Sequence, residues 1–197
     1  HSFIACCKEI IQSSGSLRYT FIYVPEGESA DGENLLEVYM QEFERHFPDI
    51  KAGHYTYKSG ARDEVLDYFE QGIIDVIFSM KCLDEGVDIP RAENAIFCSS
   101  TGNPRQFIQR RGRVLRVHKD KDVSRIYDLV VAPFFKGAEE VTKLEQRLML
   151  TELARVVDFA SMAENYYEAI SGLENLCEVL DINIYALDQE ILELTDA

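Results

Sequence analysis

The chain has 197 residues and 22.5 kDa, enough for one large domain or a domain with an appendage, so a core can be buried without disulfide staples. Its 46% hydrophobic and 28% charged residues are ordinary globular proportions and exclude a disordered tail. A net charge of −15 disfavours nucleic acid only if spread evenly. Residues 138–197 hold 14 acidic and 3 basic side chains, whereas residues 105–125 hold 8 basic and 2 acidic ones.

The predicted elements alternate between helix and strand over the first two thirds, the pattern of a parallel sheet covered by helices. Phe3 to Gln12 reads as a helix, Ser13 to Ser16 as a break, and Tyr19 to Val24 as a buried strand stopped by Pro25. Leu35 to Phe47 carries a helical apolar stripe ended by Pro48, and Ala52 to Tyr57 is a short strand. Ala61 to Gln71 is a helix with Val65, Leu66 and Phe69 inward and Gly72 as its stop. Ile73 to Ser79 and Ala95 to Ser99 are buried strands. Asn103 and Pro104 open a helix reaching about Arg111, and Ser124 to Val131 is the last strand.

From about Gly137 onward the composition turns to Leu, Ala and Glu at helical spacing. Leu144, Leu148, Leu150, Leu153, Val156 and Val157 form one candidate apolar face, Gly172 breaks the run, and Leu173 to Leu180 and Leu187 to Leu194 give shorter helices. The expected division is residues 1–133 and an acidic helical extension, 134–197.

No apolar run is long enough for a membrane span and no signal-peptide pattern opens the chain, so a cytoplasmic location is expected. The chain starts at His1 without Met, and a longer polypeptide is expected around it. Cys6, Cys7, Cys82, Cys98 and Cys177 are odd in number and lack CxxC spacing, so they read as reduced core residues. Nothing local supports a nucleophilic Cys with His54 or His118 as base, and no spacing suits a metal.

Two segments carry the chemistry: Asp84-Glu85-Gly86-Val87-Asp88-Ile89-Pro90, after the strand ending at Ser79, and Gln109-Arg110-Arg111-Gly112-Arg113-Val114-Leu115-Arg116, after the strand ending at Ser99. Both are expected outside the carboxyl ends of parallel strands, where ligands bind. In helical geometry Gln109, Arg113 and Arg116 share a face, while Gly112 either permits close backbone approach or ends the helix. Four arginines within seven residues repel one another. They suit a bound phosphate or carboxylate, or else a solvated face or pairs with the acidic tail. The first segment alone could be an ordinary loop; a functional role needs Gly86 beside a ligand and Asp88 on a hydroxyl-bearing group.

Together, EGVDIP followed about twenty residues later by Q-x-x-G-R-x-x-R resembles motifs V and VI of superfamily two helicases. FIYV resembles the motif IV strand, and HYTYKSGARDEVLDYFEQG the strand and helix ending in Phe-x-x-Gly. The resemblance spans roughly Phe3 to Pro133, and the form GRVLR is most similar to the branch of XPB-type helicases and restriction-enzyme translocases. It implies an α/β RecA-like three-layer domain with a mainly parallel sheet, the second of two lobes that clamp ATP and nucleic acid between them.

On that resemblance Arg113 and Arg116 are arginine fingers, and Gly86, Asp88 and Gln109 face the nucleotide. Where the family's motif V often begins with Thr, this sequence has Met80 and then Lys81, which either supplies the phosphate contact with DNA or is an exposed, solvated side chain; Lys58 and Ser59 are weaker candidates. The chain contains no G-x-x-x-x-G-K-[ST] loop and no DEAD-like box. ATP turnover is therefore expected only with an N-terminal lobe, which would also hold Mg. Two further readings stay open: a non-catalytic α/β scaffold for a protein partner, and an RNA helicase lobe. The helical extension is acidic enough to favour a protein partner over DNA.

Overall fold

Short apolar runs buried on both faces make strands that must be covered by helices on both sides, and that is the architecture found. The computed structural model describes residues 2–56, 62–80, 89–98, 112, 114–131 and 143–187. The strands are β1 (Thr20–Tyr23), β2 (Ala52–Tyr55), β3 (Val76–Ser79), β4 (Asn94–Phe97) and β5 (Arg125–Asp128). All pair in parallel, in the order β2-β3-β1-β4-β5.

The register aligns Phe21, Ile77 and Ala95 in one row and Ile22, Phe78 and Ile96 in the next, so the two rows face opposite sides. Helices α1 (Ser2–Ser14) and α2 (Leu35–His46) cover the second face. There Phe3, Ile4, Cys7 and Ile10, with Leu36 and Phe43, pack against Ile22, Val76, Phe78 and Ile96. Asn34 caps α2 by accepting a 2.9 Å hydrogen bond from the Leu36 amide. Helix α3 (Arg62–Glu70) lies on the other face, where Phe69 meets Phe21 edge to face at 6.1 Å and the Tyr23 and Phe97 rings stack at 4.7 Å.

Some boundaries move from their expected places for local reasons. The first helix runs on through Ser13 and Ser14, whose hydroxyls donate to the Ile10 carbonyl at 3.2 and 2.7 Å; the break falls at Gly15, with φ +80. β3 begins at Val76 rather than Ile73, because the amides of Ile73 and Ile74 donate back to Tyr68 and close a turn through Gly72, φ +71. Phe69 is buried as expected, while Val65 and Leu66 are half-buried. The helix expected from Asn103 lies outside the described residues, except that Gly112 and Val114 are helical.

Residues 1–129 form one compact unit and residues 130–197 a second. Within the second are helices α4 (Lys143–Ala160), α5 (Tyr166–Ser171) and α6 (Glu174–Val179). The buried stripe of α4 is Met149, Leu153, Val157 and Ala160, packed with Ile170, Cys177, Leu180 and Ile184. That corrects the expected face: Leu148 is exposed and Met149, one position on, takes its place. Gly172 caps α5 as anticipated, and most of the expected helix from Leu187 lies outside the described residues. No helix among the described residues is long and apolar enough to cross a membrane.

Candidate nucleotide-facing site

Of the residues singled out from the sequence, Lys58, Ser59, Lys81, Gly86, Asp88, Gln109 and Arg113 lie outside the described residues; Arg116 lies within them and is exposed. Both chemistry-bearing segments nevertheless have described ends, and these ends meet. The first leaves the carboxyl end of β3 at Met80 and is described again from Ile89, which is buried. The Ala92 amide then donates to the Ile89 carbonyl at 3.1 Å, and Glu93 leads into β4. The second segment ends in helical Val114, fully buried, followed by Leu115, Arg116 and Val117 on the surface.

Lys121 joins the two. Its ammonium donates to the Val114 carbonyl at 2.8 Å and to the Ala92 carbonyl at 3.1 Å, while the Ser124 hydroxyl donates to the same Val114 carbonyl at 3.0 Å. Carbonyls in the last turn of a helix lack intrahelical donors and carry partial negative charge, so a cation there satisfies both needs. Burial lowers the Lys121 pKa from the ordinary lysine value; Glu93 opposes this and Arg91 adds to it.

The turn that presents Lys121 is itself braced. The Lys121 amide donates to the His118 carbonyl at 3.1 Å, and Arg91 donates to the Asp120 carbonyl at 2.9 Å. Arg91 also pairs with Glu93 at 3.2 Å and lies 3.7 Å over the Tyr19 ring. The His118 ring sits 3.8 Å from the Glu70 carboxylate at the end of α3. Arg18, Arg91, His118 and Lys121 thus gather with Glu70, Asp75, Glu93 and Asp120 before the strands begin.

The described ends of both segments converge at the amino ends of β4 and β5, where the Arg125 amide donates to the Glu93 carbonyl at 2.8 Å. The reason is topological. A crossover between parallel strands must carry the chain back to the starting edge, so the end of the crossover, Val114 to Arg116, is delivered opposite the edge where it began. Of the two alternatives for Gly112, a helix end is not what is found: Gly112 and Val114 are both helical. A Cβ at Gly112 would meet nothing within 4 Å among the described residues, so one side of this helix end is open to approach.

Sequence reasoning passed over Lys121, Ser124 and Arg91. Lys121 was visible only as one charge among the eight basic residues of the 105–125 patch. Its signal lay in its place: a lysine just before a strand, a short turn beyond a helix end that needs a cation.

Of the five cysteines, Cys82 lies outside the described residues. Cys6, Cys7, Cys98 and Cys177 are free thiols, and burial raises all four, Cys7 to about 12. At pH 8 the Cys7 thiolate fraction is then about one in ten thousand. Labelling with a thiol reagent at pH 8, followed by mass spectrometry, is expected to leave Cys7 and Cys98 unmodified while the fold persists. Rapid labelling of either would contradict their place in the core. No group of three or more metal-ligating side chains comes together among the described residues.

Residues 3–118, more than half of the chain, match the family described as the helicase conserved C-terminal domain, and the chain belongs to that family. It is 46% identical over 69 residues to the DNA 3'-5' translocase XPB2 of Sulfurisphaera tokodaii, covering 34% of this chain and 16% of that protein. A second curated relative, from Saccharomyces cerevisiae, has 15% of its length spanned. The second domain of the DEAD-box helicase Mss116p, solved bound to an RNA duplex, superposes with a TM-score of 0.50 at 14% identity, over 96% of this chain and 77% of that one. That likeness shows the fold, a RecA-like layered sheet. The resemblance to superfamily two helicases, with its XPB-type leaning, holds.

Proposed function

We propose that the chain is the second motor lobe of an ATP-dependent DNA helicase or translocase, residues 1–133 forming the lobe and 134–197 an extension. Arg113 and Arg116 reach across to a triphosphate bound by an N-terminal lobe and stabilise charge as the phosphoryl group transfers. Gln109, Gly86 and Asp88 face the nucleotide, while Lys81, Lys58 and Ser59 line the nucleic-acid track. ATP is the substrate. Mg belongs to the N-terminal lobe, where it would neutralise phosphate charge.

The observation that supports this reading is the family match over residues 3–118, a span that contains both segments. DNA is the favoured polymer because the XPB2 relative is a DNA translocase. The extension presents an open groove of about 430 Å³ whose lining includes Glu174, Glu178 and Asp181, which repel phosphate and suit a protein partner.

The test is the ATPase of the full-length protein with duplex DNA and with RNA, beside the isolated 197-residue chain. DNA stimulation and an inert isolated chain are expected. Turnover by the isolated chain would overturn the division of labour, and stimulation by RNA alone would reassign the polymer.

A further inference from the structure

We infer that Lys121 is a positioning residue for Arg116, holding the end of the crossover helix against the turn before β4 so that the guanidinium is presented from a fixed backbone. The inference rests on the reading of Arg116 as an arginine finger, and concerns how that finger is aimed.

Arg116 stands two residues beyond Val114 and is exposed, so the Val114 carbonyl fixes the backbone from which its side chain starts. Val114 is held on two sides, by its wholly buried side chain and by a carbonyl that accepts from both Lys121 and Ser124. The same Lys121 ammonium reaches Ala92, at the end of the segment that carries Gly86 and Asp88. One cation therefore ties Ala92 to Val114. The turn bearing it is locked from outside by Arg91 on the Asp120 carbonyl, and Arg91 is anchored by Glu93 and the Tyr19 ring.

Losing the ammonium leaves two carbonyls short of a donor and frees the helix end to shift by a fraction of an ångström. A finger acts only in the transition state, where such displacement is costly. The loss therefore falls on kcat and spares the KM for ATP.

The experiment is a double-mutant cycle in the full-length protein, Lys121→Met and Arg116→Ala singly and together, reading DNA-stimulated kcat, KM for ATP, DNA affinity and thermal midpoint. Lys121→Met is expected to lower kcat roughly tenfold to a hundredfold with KM and DNA affinity nearly unchanged. In the Arg116→Ala background it is expected to cost nothing further. Lys121→Arg, which keeps a cation of similar reach, should recover part of kcat.

An equal loss in both backgrounds, or no loss in either, overturns the inference. If Arg116→Ala alone leaves kcat intact, the finger reading itself fails, a result distinct from the first. Should Lys121→Met not fold, Ser124→Ala removes one of the two bonds to Val114. It should give a smaller kcat loss that also vanishes in the Arg116→Ala background, and persistence of that loss counts against the inference.

Discussion

Replacing Arg116 with Ala in the full-length protein is expected to lower DNA-stimulated ATP turnover by about a thousandfold or more, and replacing Arg113 to do the same. Arginine fingers supply roughly three to five powers of ten in phosphoryl transfer, about 4 to 7 kcal/mol of barrier. Arg116 leaves a helix end whose Val114 carbonyl is held by Lys121 and Ser124. Lys at either position is not expected to rescue, because an ammonium cannot reproduce the planar fork that spans two phosphate oxygens. On the proposed reading, in which Lys81, Lys58 and Ser59 contact the DNA, its affinity should change little. A variant that kept a tenth of its turnover would remove that arginine from the catalytic set.

The second large effect is on stability. Phe78 is fully buried in β3 and packs edge to face on Phe43 of α2 at 5.3 Å, so it joins the sheet to a covering helix. Phe78→Ala should cost about 3–5 kcal/mol, the loss of apolar burial plus the cavity left behind. Domains of this size have about 5–15 kcal/mol in total, so the variant should unfold at far lower urea. Phe78→Leu, which fills most of the space, should recover much of the loss. Urea titration followed by circular dichroism checks both, and a midpoint within error of the parent would mean that the aromatic layer is not what holds α2 to the sheet.

Much of the fold was legible because both of its periodicities are strong. IIDVIFS and AIFCS each contain a run that only a doubly covered strand could bury, and the stripe from Leu35 to Phe47 is that of a helix with one wet face. Legibility failed where a turn borrowed residues from an apolar run. Ile73 and Ile74 read as strand, yet their amides are committed to Tyr68, because Gly72 adopts a left-handed turn that periodicity does not register. In α4 the choice between Leu148 and Met149 was a rotation of one residue, which composition cannot settle when both are apolar.

For the site, residue identity was more informative than placement. Arg116 could be singled out because Q-x-x-G-R-x-x-R resembles motif VI; the arginine cluster alone left a solvated face equally open. Most of both segments lies outside the described residues. The brace formed by Lys121, Ser124 and Arg91 was hidden for a physical reason. Its bonds run to backbone carbonyls, which every residue possesses, so no pattern of side-chain types announces them.

The middle position of β1 has a consequence for how the molecule comes together. Thr20 pairs with Val76 on one side and Asn94 on the other, so β1, the earliest of these five strands in the chain, waits for partners that follow 56 and 74 residues later. Assembly must therefore close two long loops around one segment, a slow step by comparison with local pairing. Until then the run TFIY offers two open borders to any extended neighbour. Crowded nascent chains would be most exposed to mispairing in that interval.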